Sequence, residues 1–218
     1  LNRNTNGTIE STVSASPESG FSIVKFDGYQ SSGTTVGHGL NSTPELIIAK
    51  NLDQTTSWPV WFDDAITMTS TTFTLENSTK YLALNSTTGY ISFTLDRQFG
   101  GTLNGGSGDE MIAYCFHSVS GYSQIGSYSG NGSTNGPRIY TGFEVAFLMV
   151  KRTDSAGGWR VLDNKRLGTS GTNKNVLEWN DSYQEQANYV DVAFHTNGFS
   201  INSTNGDYNA SSGNYIFM

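Results

Sequence analysis

Apolar and polar positions alternate along this chain in short runs, and apolar residues at three- and four-residue spacing are almost absent. No window of a dozen residues holds a helical pattern without a Gly, Pro or Ser/Thr/Asn cluster interrupting it. The runs predict strands at 21–26, 45–51, 60–62, 72–75, 80–84, 90–95 and 111–119, then at 122–128, 144–152, 160–162, 176–179, 189–194, 199–201 and 215–218. Between them stand turn formers such as Asp27-Gly28, Asn104-Gly105-Gly106, Gly130-Asn131-Gly132, Asn197-Gly198 and Asn205-Gly206, which supply positive φ at little steric cost. Many short strands with regular turn signals predict an all-β chain of antiparallel sandwich or jelly-roll architecture. Two runs, 46–49 and 145–150, are apolar without alternation, which predicts central strands covered on both faces. Each leads through an Asp-bearing turn to a tryptophan, so a hairpin is expected between Lys50 and Trp58 and another between Lys151 and Trp159.

These two hairpins belong to a wider correspondence. Gly20-Phe21-Ser22 returns as Gly121-Tyr122-Ser123, Lys50 as Lys151, Asp53 as Asp154, Trp58 as Trp159, Val60 as Val161 and Phe93 as Phe194, all at one offset of 101 residues. A period of about a hundred residues is longer than solenoid repeats of roughly 20–50, and it predicts duplication of a whole domain. The expected organisation is two tandem sandwich domains at 20–119 and 120–218. Residues 1–19 are expected to form an edge strand or a linker from a preceding domain, with Pro17 and Gly20 at the boundary. The last strand, 215–218, is shorter than its counterpart at 111–119, and that difference predicts a segment of a longer polypeptide.

Composition narrows the functional classes. Only 14% of the 218 residues are charged, while the 12% aromatic share provides large side chains for a core that the modest aliphatic content leaves thin. A formal net charge of −7 and a pI near 4.8 argue against nucleic-acid binding through a basic face. No stretch approaches the roughly 18 apolar residues of a spanning helix, so no membrane insertion is expected. The single Cys115 forms no intramolecular disulfide and reads as a buried thiol.

Several phrases resemble a known family. Residues 7–15 with Gly20-Phe21-Ser22-Ile23-Val24, then Val36-Gly37-His38-Gly39-Leu40 and Pro44-Glu45-Leu46-Ile47-Ile48-Ala49-Lys50, are similar to a domain of unknown function found in large virion proteins of marine bacteriophages. Ile112-Ala113-Tyr114-Cys115-Phe116, residues 126–133, and Val150-Lys151-Arg152-Thr153-Asp154 leading to Trp159 extend the likeness over nearly the whole chain. The resemblance implies a particle-surface location, in a tail fibre or other host-facing protein beside other β-rich domains. No catalytic motif comes with it.

The residues that could carry chemistry point the same way. His38, His117 and His195 stand apart without metal-ligand spacing, and Asp63-Asp64 and Asp109-Glu110 lie outside any calcium-loop pattern, so no metal and no cofactor is expected. No nucleophile elbow or phosphate loop is present. Trp58, Trp61, Trp159 and Trp179 match apolar positions in the other half, which predicts core. Tyr29, Tyr183 and Tyr208 lack such counterparts and lie among Asn, Ser, Gln and Gly, which makes them the candidate ligand-binding residues, with flat rings suited to stacking on a sugar. The expected function is a non-enzymatic virion module that meets other virion proteins and host-surface glycans as a homo-oligomer, trimeric if it belongs to a fibre. A capsid decoration protein, a tail-associated depolymerase and a bacterial adhesin are the alternatives.

Overall fold

A computed structural model describes residues 2–28, 34–55, 58, 60–62, 81–84, 108–166, 173–179 and 182–218. They are all-β apart from a 3₁₀ turn at Pro17–Ser19 and one helical turn, α1 (Gly206–Asn209). They form two compact units divided between Val119 and Ser120.

The first unit contains β1 (Asn2–Asn4), β2 (Ser11–Ser16), β3 (Phe21–Asp27), β4 (Thr34–Gly37), β5 (Leu46–Asn51), β6 (Val60–Phe62), β7 (Tyr81–Leu84) and β8 (Glu110–Phe116). Six of these make an antiparallel sheet in the order β1-β2-β3-β8-β5-β6, and β4 pairs with β7 separately. Because side chains alternate across a strand, register decides which residues share a face. Ser22, Cys115 and Ile47 line up across β3, β8 and β5, as do Val24, Ala113 and Ala49, and all six are buried. The opposite face carries Ile23, Tyr114 and Ile48 in one row and Phe21, Phe116 and Leu46 in another; of these, only Leu46 is fully buried. Before β3, β1 and β2 add two strands to the edge of this sheet. Gly20 makes the turn from β2 into β3 at φ +67°, and a Cβ there would stand 2.3 Å from the His117 carbonyl oxygen, so no other residue fits without displacement.

The second unit contains β9 (Gly126–Ser129), β10 (Arg138–Tyr140), β11 (Phe147–Arg152), β12 (Arg160–Asp163), β13 (Asn173–Glu178), β14 (Gln186–His195), β15 (Gly198–Ile201), α1 and β16 (Asn214–Phe217). Eight strands form one antiparallel sheet, β10-β15-β14-β13-β12-β11-β16-β9. Strands β9 and β15 stand six steps apart in that order, about 29 Å in a flat sheet. Yet the Tyr128 and Phe199 rings are 6.4 Å apart, and Phe199 meets Phe217 at 5.3 Å. The sheet therefore curls until its two ends face one another, with Leu148, Val150, Leu162, Val192, Phe199 and Phe217 between them. The bend has a local cause in the β13–β14 pair. Lys174 opposes Val190 but Val176 opposes Gln186, so β14 carries extra residues there, and Asn188 takes a positive φ of 53°. Strand β11 is buried on both faces from Leu148 through Lys151, as its unbroken apolar run predicts, whereas β5 leaves Ile48 half-exposed.

The two sheets share a series of four strands in the same order, β3-β8-β5-β6 and β9-β16-β11-β12. Within it Ile48 pairs with Val60, and Met149 pairs with Val161. A lysine and an aspartate also play similar parts in each sheet. Lys50 Nζ donates to the Gln54 carbonyl at 2.8 Å, and Lys151 Nζ donates to that of Gly157 at 2.8 Å, so each lysine ties down the loop after its strand. Asp53 accepts the Glu110 N–H at 2.6 Å and Asp154 accepts that of Asn214, so each aspartate caps the start of the last strand of its unit.

Several expectations need correction or lie beyond the described residues. The predicted strand at 122–128 begins only at Gly126, because 120–122 form a turn that leaves Tyr122 exposed. Trp58 and Trp179 are 50% and 57% exposed instead of core. Trp58 lays its ring along Tyr114 at 6.3 Å on the outward face of the first sheet, so its apolar character reflects cover for that face. Trp159 is half-buried, and the Trp61 side chain and the predicted strands at 72–75 and 90–95 lie outside the described residues.

Candidate functional site

The first candidate is the outward face of the six-stranded sheet. Antiparallel sheets with one solvated face ordinarily turn polar residues outward. Here the period-two pattern of β3 and β8 instead places Phe21 on Phe116 with ring centroids 4.7 Å apart, and Tyr114, two residues along β8, beneath Trp58. Both ring pairs are near-parallel, at 29° and 25°, and together they form a half-exposed aromatic platform on a rigid sheet. Lys25 beside it is paired with Glu110, and Lys50 is held by the Asn51 and Gln54 carbonyls. The platform therefore offers flat apolar surface with little free charge in its described surroundings.

The second candidate is a polar cluster at one end of the second unit's core. Arg160, on β12, donates through Nη1 to Glu178 of β13 and through Nη2 to Asp207 of α1 at 2.8 Å. The Tyr189 hydroxyl donates to the same Asp207 oxygen at 2.8 Å, Gln186 donates to Glu178 at 3.2 Å, and the guanidinium lies 5.2 Å from the Tyr189 ring centroid. Asn205 caps α1 by accepting the Asp207 N–H, which directs the Asp207 carboxylate toward Arg160. Arg160 and Glu178 are more than nine-tenths buried at the side chain. Both carboxylates accept from one arginine, an arrangement that ties β12, β13 and α1 together.

Lys151 lies in this unit with its amine pushed down to about 8, since burial disfavours the charged form more strongly than Asp207 favours it. Burial raises the Asp154 carboxyl, but Arg152 and the Asn214 N–H outweigh it and leave it below the ordinary value. The Asp163 carboxyl is lowered in the same way against burial, by Arg166 and the N–H of Lys165. The Cys115 thiol, fully buried, is pushed up to about 12 and is inert at neutral pH.

The three tyrosines predicted as ligand contacts part company. Tyr183 is 64% exposed. Tyr29 lies outside the described residues. Tyr208 is completely buried, which corrects its reading as a surface residue: α1 turns it inward, against Tyr189 at 6.3 Å, and its backbone carbonyl accepts the Tyr128 hydroxyl at 2.8 Å. The structure also exposes the rings of Tyr122, Tyr140 and Phe147, which are not among those candidates. Tyr140 faces Arg138, whose guanidinium lies 5.3 Å from the ring centroid.

The remaining polar candidates serve the fold. His38 is buried and its Nδ1 accepts the Leu40 N–H at 3.2 Å, while Asp109 accepts from Asn51 at 2.7 Å. Asp63 and Asp64 lie outside the described residues. Among the described residues no three His, Cys, Asp or Glu side chains gather to hold a metal, and no helix is long and apolar enough to cross a membrane.

The family described as domain of unknown function DUF7483 matches residues 2–218, and the chain belongs to it. No curated protein and no solved structure matches the chain.

Proposed function

We propose that this chain is a non-enzymatic module of a bacteriophage particle surface, built from two copies of one β-sandwich domain and used for attachment through aromatic contact with host-surface glycans. The observation that carries the reading is the aromatic platform of the first unit, where Trp58 is 50% exposed over Tyr114 beside the Phe21–Phe116 stack. Such rings stack on the apolar face of a pyranose, and their sheet holds them in place before binding, which limits the entropy lost. Duplication is supported by the common order of four strands, the matched hairpin pairs and the equivalent duties of Lys50 and Lys151 and of Asp53 and Asp154. A sandwich is supported by the curl of the eight-stranded sheet around a single core. Catalysis is no part of the reading, because the carboxylates of Glu178 and Asp207 are engaged by Arg160. Assembly with other virion proteins and with further copies of this chain would multiply weak sugar contacts into firm attachment.

The test is a bacterial glycan array probed with the folded, assembled chain and with Trp58→Ala. Binding that falls about tenfold in the variant, the effect of losing one stacked ring, supports the reading. Absence of binding by the unaltered protein removes the adhesive role and leaves capsid decoration, to be tested by locating the chain on whole particles.

A further inference from the structure

Two tryptophans meet across the second sheet on the side away from its core. Arg160 pairs with Glu178 and Val161 with Leu177 along β12 and β13, and the Trp179 N–H donates to the Trp159 carbonyl at 2.9 Å, so Trp159 and Trp179 are the next opposed pair. Opposed residues share a face, with β-carbons about 5 Å apart. Leu162 and Val176 belong to the core cluster, and Arg160 turns toward Glu178 and Asp207, so alternation sets the two tryptophans on the opposite face. Trp159 is half-buried there, and Trp179 is 57% exposed.

The place of Trp159 matches that of Trp58. Ile48 pairs with Val60 and Met149 with Val161, and each tryptophan stands two residues before its valine. In the first unit Tyr114, which stacks with Trp58, lies opposite Ile48; in the second the residue bonded to Met149 is Met218, which has no ring. The aromatic neighbour of Trp159 comes instead from the strand on its other side, as Trp179.

The surroundings suit an uncharged ligand with one apolar face. Arg160 and Glu178 pair on the far side of the sheet, the Lys151 amine donates to the Gly157 carbonyl, and Glu185 accepts from Arg166 and Asn175. These pairings leave little net charge for an ionic ligand to meet. Tyr183, 64% exposed, and Gln184, also exposed, follow Trp179 in the connection to β14 and bring a hydroxyl and an amide to the same loop. Flat rings beside neutral hydrogen-bonding groups complement a pyranose, whose apolar face is edged by hydroxyls.

We propose that Trp159 and Trp179 form a second sugar-binding site, with Tyr183 in its adjoining loop, so that the chain carries one aromatic site in each unit. The inference rests on the glycan reading above and extends it, since two weak sites for neutral pyranoses on one chain strengthen attachment to a surface of repeated glycans without a tight site in either unit.

Fluorine NMR of the whole chain labelled with fluorotryptophan reads the sites separately, because the chain has only four tryptophans. The probe is the neutral oligosaccharide that the unaltered protein binds most strongly on the glycan array, with a uronic-acid oligosaccharide as the charged control. The Trp179 resonance should shift with the neutral sugar and not with the control, and should still shift in Trp58→Ala. On the array Trp179→Ala should lose about tenfold while circular dichroism and Tm stay unchanged, Trp179→Tyr should keep most of the binding, and W58A/W179A should fall about a hundredfold. A sugar that shifts Trp58 and leaves Trp159 and Trp179 unmoved would overturn the second site and leave the glycan reading standing. Absence of array binding would overturn both. A Trp179 resonance that responds to phosphatidylglycerol vesicles and not to sugar would make the pair a membrane contact and also sink the proposal.

Discussion

Replacing Arg160 with methionine tests whether the polar cluster is a structural lock. Methionine keeps much of the aliphatic stem of Arg160 but withdraws the guanidinium from Glu178 and Asp207, which accept from its two terminal nitrogens. Glu178 is 9% exposed at the side chain and would be left as a buried carboxylate with Gln186 as its remaining partner, while Asp207, at 27%, would retain Tyr189 and partial access to water. Breaking a buried ion pair from one side costs about 3–5 kcal/mol, and the solvent available to Asp207 places the expected loss at the lower end, about 3 kcal/mol. For a unit of roughly a hundred residues this lowers Tm by at least about 12 °C. Replacing Glu178 as well, in R160M/E178M, removes the stranded charge and should recover at least about 1 kcal/mol relative to R160M alone. Urea denaturation followed by tryptophan fluorescence provides the readout, because Trp159 and Trp179 flank β12 and β13 and report on this unit. A loss below about 1 kcal/mol in R160M, or a double variant no more stable than the single, would refute the lock.

Two neighbouring tyrosines should respond in opposite ways to the same change. Among the described residues the buried Tyr208 hydroxyl has no partner, so Tyr208→Phe should leave stability unchanged or raise it by up to about 1 kcal/mol; Tyr215→Phe strips a hydroxyl that donates to Gly206 and accepts from Ala210, each at 2.7 Å, and should cost about 1–3 kcal/mol, with both values read from urea midpoints. Alkaline stability follows from Lys151, whose amine titrates near 8 when folded and at 10.5 otherwise: between those values the unfolded chain holds the extra proton, so stability should rise with pH by at most about 3 kcal/mol, and Lys151→Met should flatten the rise. Above pH 10 the trend should reverse, because burial holds Tyr128 and Tyr208 protonated in the folded state after the unfolded chain has lost those protons. At the acid end Asp154 and Asp163, lowered in the folded state, contribute stability above the ordinary carboxylate range and lose it as pH falls, so Asp154→Asn should reduce the slope of stability against pH below about 4.

Strand character was determined locally. Alternation along 21–26 and 111–116 is a property of the pleat, and it identified β3 and β8 because each residue's face depends only on its neighbours. Lys50, Lys151, Asp53 and Asp154 stand out in the sequence as well, since each acts within a few positions of a hairpin or against the strand beside it. What the sequence could not settle was the medium each outward side chain meets. Tyr208 sits among Asn and Gly and has the local look of a loop, yet the Asn205 cap and the Asp207–Arg160 bond turn it into the core. Trp58 and Trp179 are apolar and still half-exposed, because an apolar side chain records that a surface is covered without recording how completely. The curl that brings Tyr128 to Phe199 and the capture of both acids by Arg160 depend on residues well apart in the chain. Periodicity is inherited from the backbone of a single strand, whereas burial and charge pairing are set by which distant segments come to lie alongside it.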